Sequence, residues 1–159
     1  MLDVIRIGDR ACREMGIENP RIAVAGLNPT AGSTACSGRE EIREIIPAIE
    51  AAEQEESRPR ALCPRIPCSS KARGGWYDIV VAMYHDQGHI PLKVVGFVYN
   101  QERQAWDAVA GVNITLGLPV IRVSVDHGTA FDQAGTGTAS ELSLKNSLEY
   151  AVMFARNRK

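Results

Sequence analysis

The chain carries almost no excess charge: 18 Lys and Arg against 19 Asp and Glu leave a net of -1 over 159 residues. That removes bulk electrostatic attraction as a route to nucleic acid or an anionic membrane, while leaving room for positive charge gathered at one place. No apolar run approaches the length that crosses a bilayer. The opening residues Met1-Leu2-Asp3-Val4-Ile5-Arg6 lack a long apolar stretch after a basic start, so no secretory leader is expected and the cytoplasm is the default location. Cysteine occurs four times, at Cys12, Cys36, Cys63 and Cys68, with no pair at C-x-x-C spacing. Free thiols are expected, and neither a zinc knuckle nor a redox motif. There is no repeat, no low-complexity tract and no G-x-G-x-x-G fingerprint. Histidine is scarce, limited to His85, His89 and His127.

What is present reads as an ordinary soluble globular chain, 45% apolar and 23% charged. The length allows one domain with a real core. Residues Asp3 to Met15 have a loosely helical pattern of Val4, Ile5, Ile7, Ala11 and Met15, stopped by Gly16. Arg21 to Ala25 is a strand candidate running into loop chemistry from Gly26 to Gly32. A helix is predicted from Gly38 to Glu53 with Ile42, Ile45, Ile46 and Ile49 on one face, kinked or split by Pro47. Glu55 to Ser70 shows no clear period. Tyr77 to Ala82 reads as a buried parallel strand, since such strands are apolar on both faces.

Leu92 to Trp106 is ambiguous, with an exposed hairpin tip or insert at Asn100 to Gln104. Val112 to Leu116 is strand or turn, Pro119 to Val125 is a third strand, and a last helix covers Ser140 to Arg156 with Leu144, Leu148, Val152 and Ala155 on one side. Three strands ending in glycine-containing polar loops predict an α/β fold with a largely parallel sheet, and a site where those loops meet at one edge.

The chemistry-bearing run is Met83-Tyr84-His85-Asp86-Gln87-Gly88, at the carboxyl end of a predicted strand. A histidine, a carboxylate and an amide there can hold a metal or a polar substrate; a hydrogen-bonded strand end without a ligand is the plainer alternative. Asp126-His127-Gly128-Thr129-Ala130 is the second run, where glycine and small residues let backbone N–H groups approach a ligand and a following helix start would favour anions. A tight turn is the plainer account of it. Lys93, Asn113 and Arg122 are scattered near the same edge, and Arg122 lies inside an apolar strand, where its charge needs a carboxylate, a phosphate or a salt bridge within the fold.

Five ordered motifs carry a resemblance: Gly26-Leu27-Asn28-Pro29, Gly38-Arg39-Glu40-Glu41-Ile42, Met83 to Gly88, Gly111 to Pro119, and Asp126 to Ala130. Together they resemble the carboxyl-terminal half of the 4-hydroxythreonine-4-phosphate dehydrogenase family of vitamin B6 synthesis, including its catabolic relatives. The resemblance implies a fold like isocitrate and isopropylmalate dehydrogenases. Residues 1–159 would then be a single partial domain, the NAD-binding half, with the amino-terminal half absent. It implies a homodimer, NAD and a divalent metal (zinc, magnesium or cobalt) as cofactors, and a small-molecule substrate, with no role for nucleic acid or membrane. The metal would grip a substrate hydroxyl, hydride would pass to NAD, and the keto acid formed would lose carbon dioxide. His85 corresponds to a metal ligand; Lys93, Asn113 and Arg122 to substrate contacts; His127, Gly128, Thr129 and Ala130 to the loop that holds the NAD adenosine.

The pattern breaks in places. The family has three histidine ligands; Thr30 stands where one belongs, and the segment bearing another has no counterpart here. A hydroxyl replaces imidazole poorly at a zinc-type site. Gln133, Thr136 and Thr138 depart from the family's run after the cofactor loop. Ser33 to Ser37 and Pro64 to Lys71 read like family codons entered out of frame, so two compensated frameshifts are expected, to be checked by resequencing the coding DNA. The insert from Val98 to Ala110 and the tracts Gly74 to Asp78 and Gly88 to Lys93 look closer to catabolic relatives, which oxidise phosphorylated sugar acids or aromatic dihydrodiol carboxylates. A dimerising or nucleotide-binding fragment without catalysis is the reading from another class.

Overall fold

The computed structural model describes residues 1–28, 38–55, 59–97, 99–102, 105–106 and 110–158. Thr30, Cys36 and the stretch Ser33 to Ser37 therefore lie outside the described residues. The chain divides into two compact units, Met1–His89 and Ile90–Lys159, where the sequence reading treats it as one partial domain.

The first unit is built on a three-stranded parallel sheet in the order β2-β1-β3, with β1 at Ile22–Ala25, β2 at Pro59–Cys63 and β3 at Ile79–Val81. The central strand β1 is buried on both faces, as a run of Ile22, Ala23, Val24 and Ala25 demands. Its two larger side chains, Ile22 and Val24, pack with Ile5, Ile45, Ile49, Ala52 and Val81. Its alanines meet Cys63 and Cys68, with Tyr77 and Val80 against them. Burying Ile22 alone is worth roughly 1.5–3 kcal/mol. Helix α1, Leu2–Glu14, buries Ile5, Gly8, Ala11 and Cys12 while Val4 stays exposed. Arg21 clamps the start of β1 to Asp78, whose carboxylate accepts from its backbone N, Nε and Nη2 at 2.7, 2.9 and 2.7 Å.

Pro47 splits the expected helix. Helix α2, Ile46–Gln54, has the proline in its first turn, and a π-helical segment, Glu41–Ile45, precedes it. A proline removes one intrahelical hydrogen bond and crowds the turn before it, and the wider π-helical turn ahead of Pro47 accommodates that. The same winding changes the predicted face: Ile45 and Ile49 are buried, whereas Ile42 is 51% exposed.

Two elements appear where no period was legible, β2 and helix α3, Arg65–Arg73. Cys68 on α3 is buried, so this patch supplies core whatever its origin. A third unpredicted element is helix α4, His85–Gly96, which begins at the histidine and contains Pro91. Gly88 is thus a helical residue rather than a flexible loop glycine; a Cβ on it would meet Ala82 at 3.5 Å. The boundary between the units falls inside α4.

The second unit holds the rest of α4, a short hairpin of β4 (Tyr99–Asn100) and β5 (Ala105–Trp106), an antiparallel ribbon of β6 (Val112–Thr115) and β7 (Arg122–Val125), and helix α5, Leu142–Asn157. Of the predicted tip at Asn100 to Gln104, Asn100 belongs to β4, and Arg103 and Gln104 lie outside the described residues. The third predicted strand needs correcting: it starts at Arg122, and it pairs antiparallel with β6 in a separate two-stranded sheet. The parallel sheet therefore contributes two of the three loops that were expected to share one edge. Helix α5 exists as predicted, but its apolar side does not face inward. Leu144, Leu148 and Val152 are 54%, 59% and 48% exposed, while Ser143, Ser147 and Phe154 are buried. Among the described residues, no helix is long and apolar enough to cross a membrane.

Candidate functional site

In the first unit, chemistry gathers where β1 and β3 end. Gln87 ties these tips together: its Oε1 accepts from Met83 N at 2.6 Å and its Nε2 donates to Gly26 O at 2.8 Å. Both ends of that amide are engaged by backbone, so Gln87 shapes the loops and is not a free ligand. Glu41 does the same for Asn28, accepting from its backbone N and from Nδ2, each at 2.7 Å. Burial of Glu41 opposes its charge, and the donors from Asn28 outweigh that, so its carboxyl sits below the ordinary range. Gly38 closes the arrangement at φ 142°, a conformation for which glycine is suited; any Cβ there would run into the Glu40 carboxylate and the Asn28 amide.

His85 opens α4 with its side chain 74% exposed. Its Nδ1 lies 2.8 Å from Asp86 Oδ1, and its ring stacks on His89 with centroids 3.9 Å apart. His89 Nδ1 lies 3.2 Å from His85 O. Rings stacked face to face do not aim their nitrogens at one point. Among the described residues there is no group of three or more His, Cys, Asp or Glu side chains that could hold a metal. These residues alone do not fit a catalytic divalent ion, which takes three protein ligands.

In the second unit, the ribbon sorts its residues by the period of two. Val112, Ile114, Val123 and Val125 share one face. Asn113, Thr115, Arg122 and Ser124 share the other, because Asn113 pairs with Ser124 and Thr115 with Arg122. Asn113 and Arg122 are exposed. The expectation that Arg122 is a charge inside an apolar strand is corrected: it is the first residue of β7, in water, and its Nη1 donates to Thr115 Oγ1 at 2.7 Å. Asp126 follows β7 and seats Lys93, whose Nζ donates to Asp126 Oδ1 at 2.7 Å and to Asp126 O at 3.0 Å. Lys93 Nζ also stands 4.6 Å from the centroid of the Phe97 ring. The structure thus brings Asn113 and Arg122 onto one polar face, with the Lys93 ammonium held at the Asp126 end.

His127, Gly128, Thr129 and Ala130 follow as an exposed loop. His127 Nδ1 lies 2.9 Å from Gly128 O. Ala130 adopts a left-handed conformation, φ 46° and ψ 50°, that costs a non-glycine residue about 1 kcal/mol. The helix start expected behind this loop is only a three-residue 3-10 turn, Phe131–Gln133.

Sequence reasoning missed Ser143 and the role of Asp126. Ser143 Oγ accepts from Asp126 N at 3.1 Å and donates to Gly111 O at 2.6 Å, and Asn146 Nδ2 donates to Ala110 O at 2.8 Å. The available signal was the i, i+4 pair of serines, each directly before a leucine of the exposed stripe on α5.

The family described as pyridoxal phosphate biosynthetic protein PdxA matches residues 1–151. A D-threonate 4-phosphate dehydrogenase of Pectobacterium atrosepticum is 47% identical over 96% of this chain and 43% of its own length. A 4-hydroxythreonine-4-phosphate dehydrogenase of Beijerinckia indica is 48% identical over 95% of this chain and 42% of its own. The solved structure of a 4-hydroxythreonine-4-phosphate dehydrogenase from Klebsiella pneumoniae superposes with a TM-score of 0.75 at 47% identity, covering 97% of this chain and 44% of that one. The chain therefore spans less than half the length of the curated relatives it matches. Its fold is α/β, with a parallel sheet flanked by helices, of the isocitrate and isopropylmalate dehydrogenase kind.

Proposed function

Since the chain belongs to the PdxA family, whose match covers residues 1–151, we propose that it is the substrate- and cofactor-binding portion of a dehydrogenase acting on a phosphorylated hydroxy acid. The names of its relatives make 4-hydroxythreonine 4-phosphate and D-threonate 4-phosphate the first substrates to try. The observation that carries the reading is the polar face of the β6–β7 ribbon. Arg122 opens β7 and Asp126 follows its last residue, a backbone separation of about 13 Å for an extended chain. A guanidinium at one end and the Lys93 ammonium at the other suit a small acid bearing an anionic group at each end. Asn113 between them offers an amide to a hydroxyl or carboxylate.

The loop His127 to Ala130 is assigned to NAD, which supplies the hydride acceptor when bound. Its exposed backbone at the end of β7 and the left-handed Ala130 support that role, since strained residues in a loop of this kind tend to mark ligand contacts. In the whole protein a divalent metal is expected to act with His85, in a homodimer and in the cytoplasm, with a place in pyridoxine biosynthesis or in a catabolic pathway. This chain's described residues do not assemble that grip.

The chain by itself is accordingly expected to show negligible turnover. The test is NAD reduction with each of the two phosphorylated acids, with and without zinc or magnesium. Turnover at the level of a full-length relative would overturn this expectation. Titration calorimetry with NAD addresses the reading from the other class: nucleotide binding with no metal binding favours a non-catalytic, nucleotide-binding fragment.

A further inference from the structure

We infer that Asp126 and Ser143 are positioning residues which pin the Lys93 ammonium, so that Lys93 gives a single N–H to one oxygen of an anionic ligand on the ribbon's polar face. The inference rests on the reading of that face as the substrate site. A lysine side chain has a four-carbon stem, three N–H donors and many rotamers, so a free one is a mobile point charge. Lys93 is not free. Two of its donors are engaged by the carboxylate and the carbonyl of the same residue, Asp126, at 2.7 and 3.0 Å. The Phe97 ring sits beside the ammonium at 4.6 Å. The Lys93 side chain nevertheless keeps 39% of its surface open, whereas that of Asp126 keeps 11%.

Asp126 is itself fixed from two sides. Its backbone N donates to Ser143 Oγ at 3.1 Å, and the same hydroxyl donates to Gly111 O at 2.6 Å. Ser143 is 1% exposed, so this hydroxyl has no water to turn to. One buried oxygen thereby joins the residue before β6 to the residue after β7, which face each other at the same end of the ribbon. Gly111 leaves room for the carboxylate on the other side and limits how far it can swing: a Cβ on Gly111 would stand 2.6 Å from Asp126 Oδ2. The carboxylate offsets most of the ammonium's charge, so the remaining N–H confers position more than affinity. Net attraction for an anion then falls to Arg122, whose hydrogen bond is to the neutral Thr115.

The test is amine labelling of the whole chain by reductive methylation, with Lys93 quantified by mass spectrometry against the exposed Lys145 in the same sample. Lys93 should label about three- to fivefold more slowly than Lys145, the factor that an ion pair of this exposure is worth. Asp126→Asn should abolish that difference. Ser143→Ala, which changes no charge, should reduce it, and Ser143→Thr should restore it. If Ser143→Ala fails to fold, Asp126→Asn decides alone. Inorganic phosphate should protect Lys93 in the unsubstituted chain, and at several-fold higher concentration in Ser143→Ala. Equal labelling of Lys93 and Lys145 in the unsubstituted chain would overturn the inference and leave the substrate reading standing. Slow labelling that responds to both substitutions but never to phosphate would overturn both the inference and the assignment of the polar face.

Discussion

Among the described residues, Glu41 is the one charged side chain that is buried. It is a buried carboxylate whose charge is sustained by two donors from Asn28. Its folded pKa is depressed below the ordinary 4.5, so it contributes stability that is complete above that value and is lost as pH falls through the folded one. Glu41→Gln should cost about 1–3 kcal/mol at neutral pH, because one of the two amide donors then meets another donor. The acid limb of stability below 4.5 should also become shallower, which denaturant titrations at pH 7 and pH 4 would register. A second prediction concerns thiols. Burial pushes Cys12 up to about 11, with the charges of Asp78 and Asp9 adding to it. Burial also raises Cys68, helped by a hydrogen bond with Cys63. Since the thiolate is the nucleophile, both should resist iodoacetamide at pH 7.5 in native protein and react within minutes in urea. Prompt native alkylation at either site would contradict the packing described.

Helix α5 carries the sharpest prediction about an element. Leu148→Lys should change stability by less than about 0.5 kcal/mol, because the side chain is 59% exposed. Phe154→Ala on the buried side should cost about 3–5 kcal/mol. Thermal or urea unfolding of the two variants would reverse this order if the leucine stripe faced the ribbon. The same helix shows what a sequence can reveal about its own folding. Periodicity marked α5 as helical, and β1 was legible from its continuous apolar run. Which side of α5 turns inward was not, since two of its three buried residues, Ser143 and Ser147, are serines, and Ser143 is held by hydrogen bonds to Gly111 and Asp126. Helix α4 was hidden by Gly88 and Pro91, both poor helix formers, and β2 by Pro59 and a lack of β-branched residues. Of the candidate site, Asn113, Arg122 and Lys93 stood out in the sequence as amide and cationic groups near one edge. The polar face that Asn113 and Arg122 share was not legible, because Val112 to Leu116 reads equally as strand or turn until its pairing with β7 is known.

At the scale of the molecule, the two units differ in how they are held. The first has a core of Ile5, Ile22, Val24, Ile45, Ile49, Ala52 and Val81 around a central strand. Among the described residues of the second, only Ser143, Ser147 and Phe154 are buried. Native-state hydrogen exchange should therefore show β1 amides protected to near the global limit and those of β6 and β7 exchanging through smaller openings. Equal protection of both sheets would contradict the contrast. The open leucine stripe on α5 has a practical corollary as well. Apolar surface of that kind takes up fluorescent dyes such as anilinonaphthalene sulfonate, the customary reporters of molten states. Properly folded samples of this chain should already glow with such a dye, so brightness alone would be a false alarm in any melting screen.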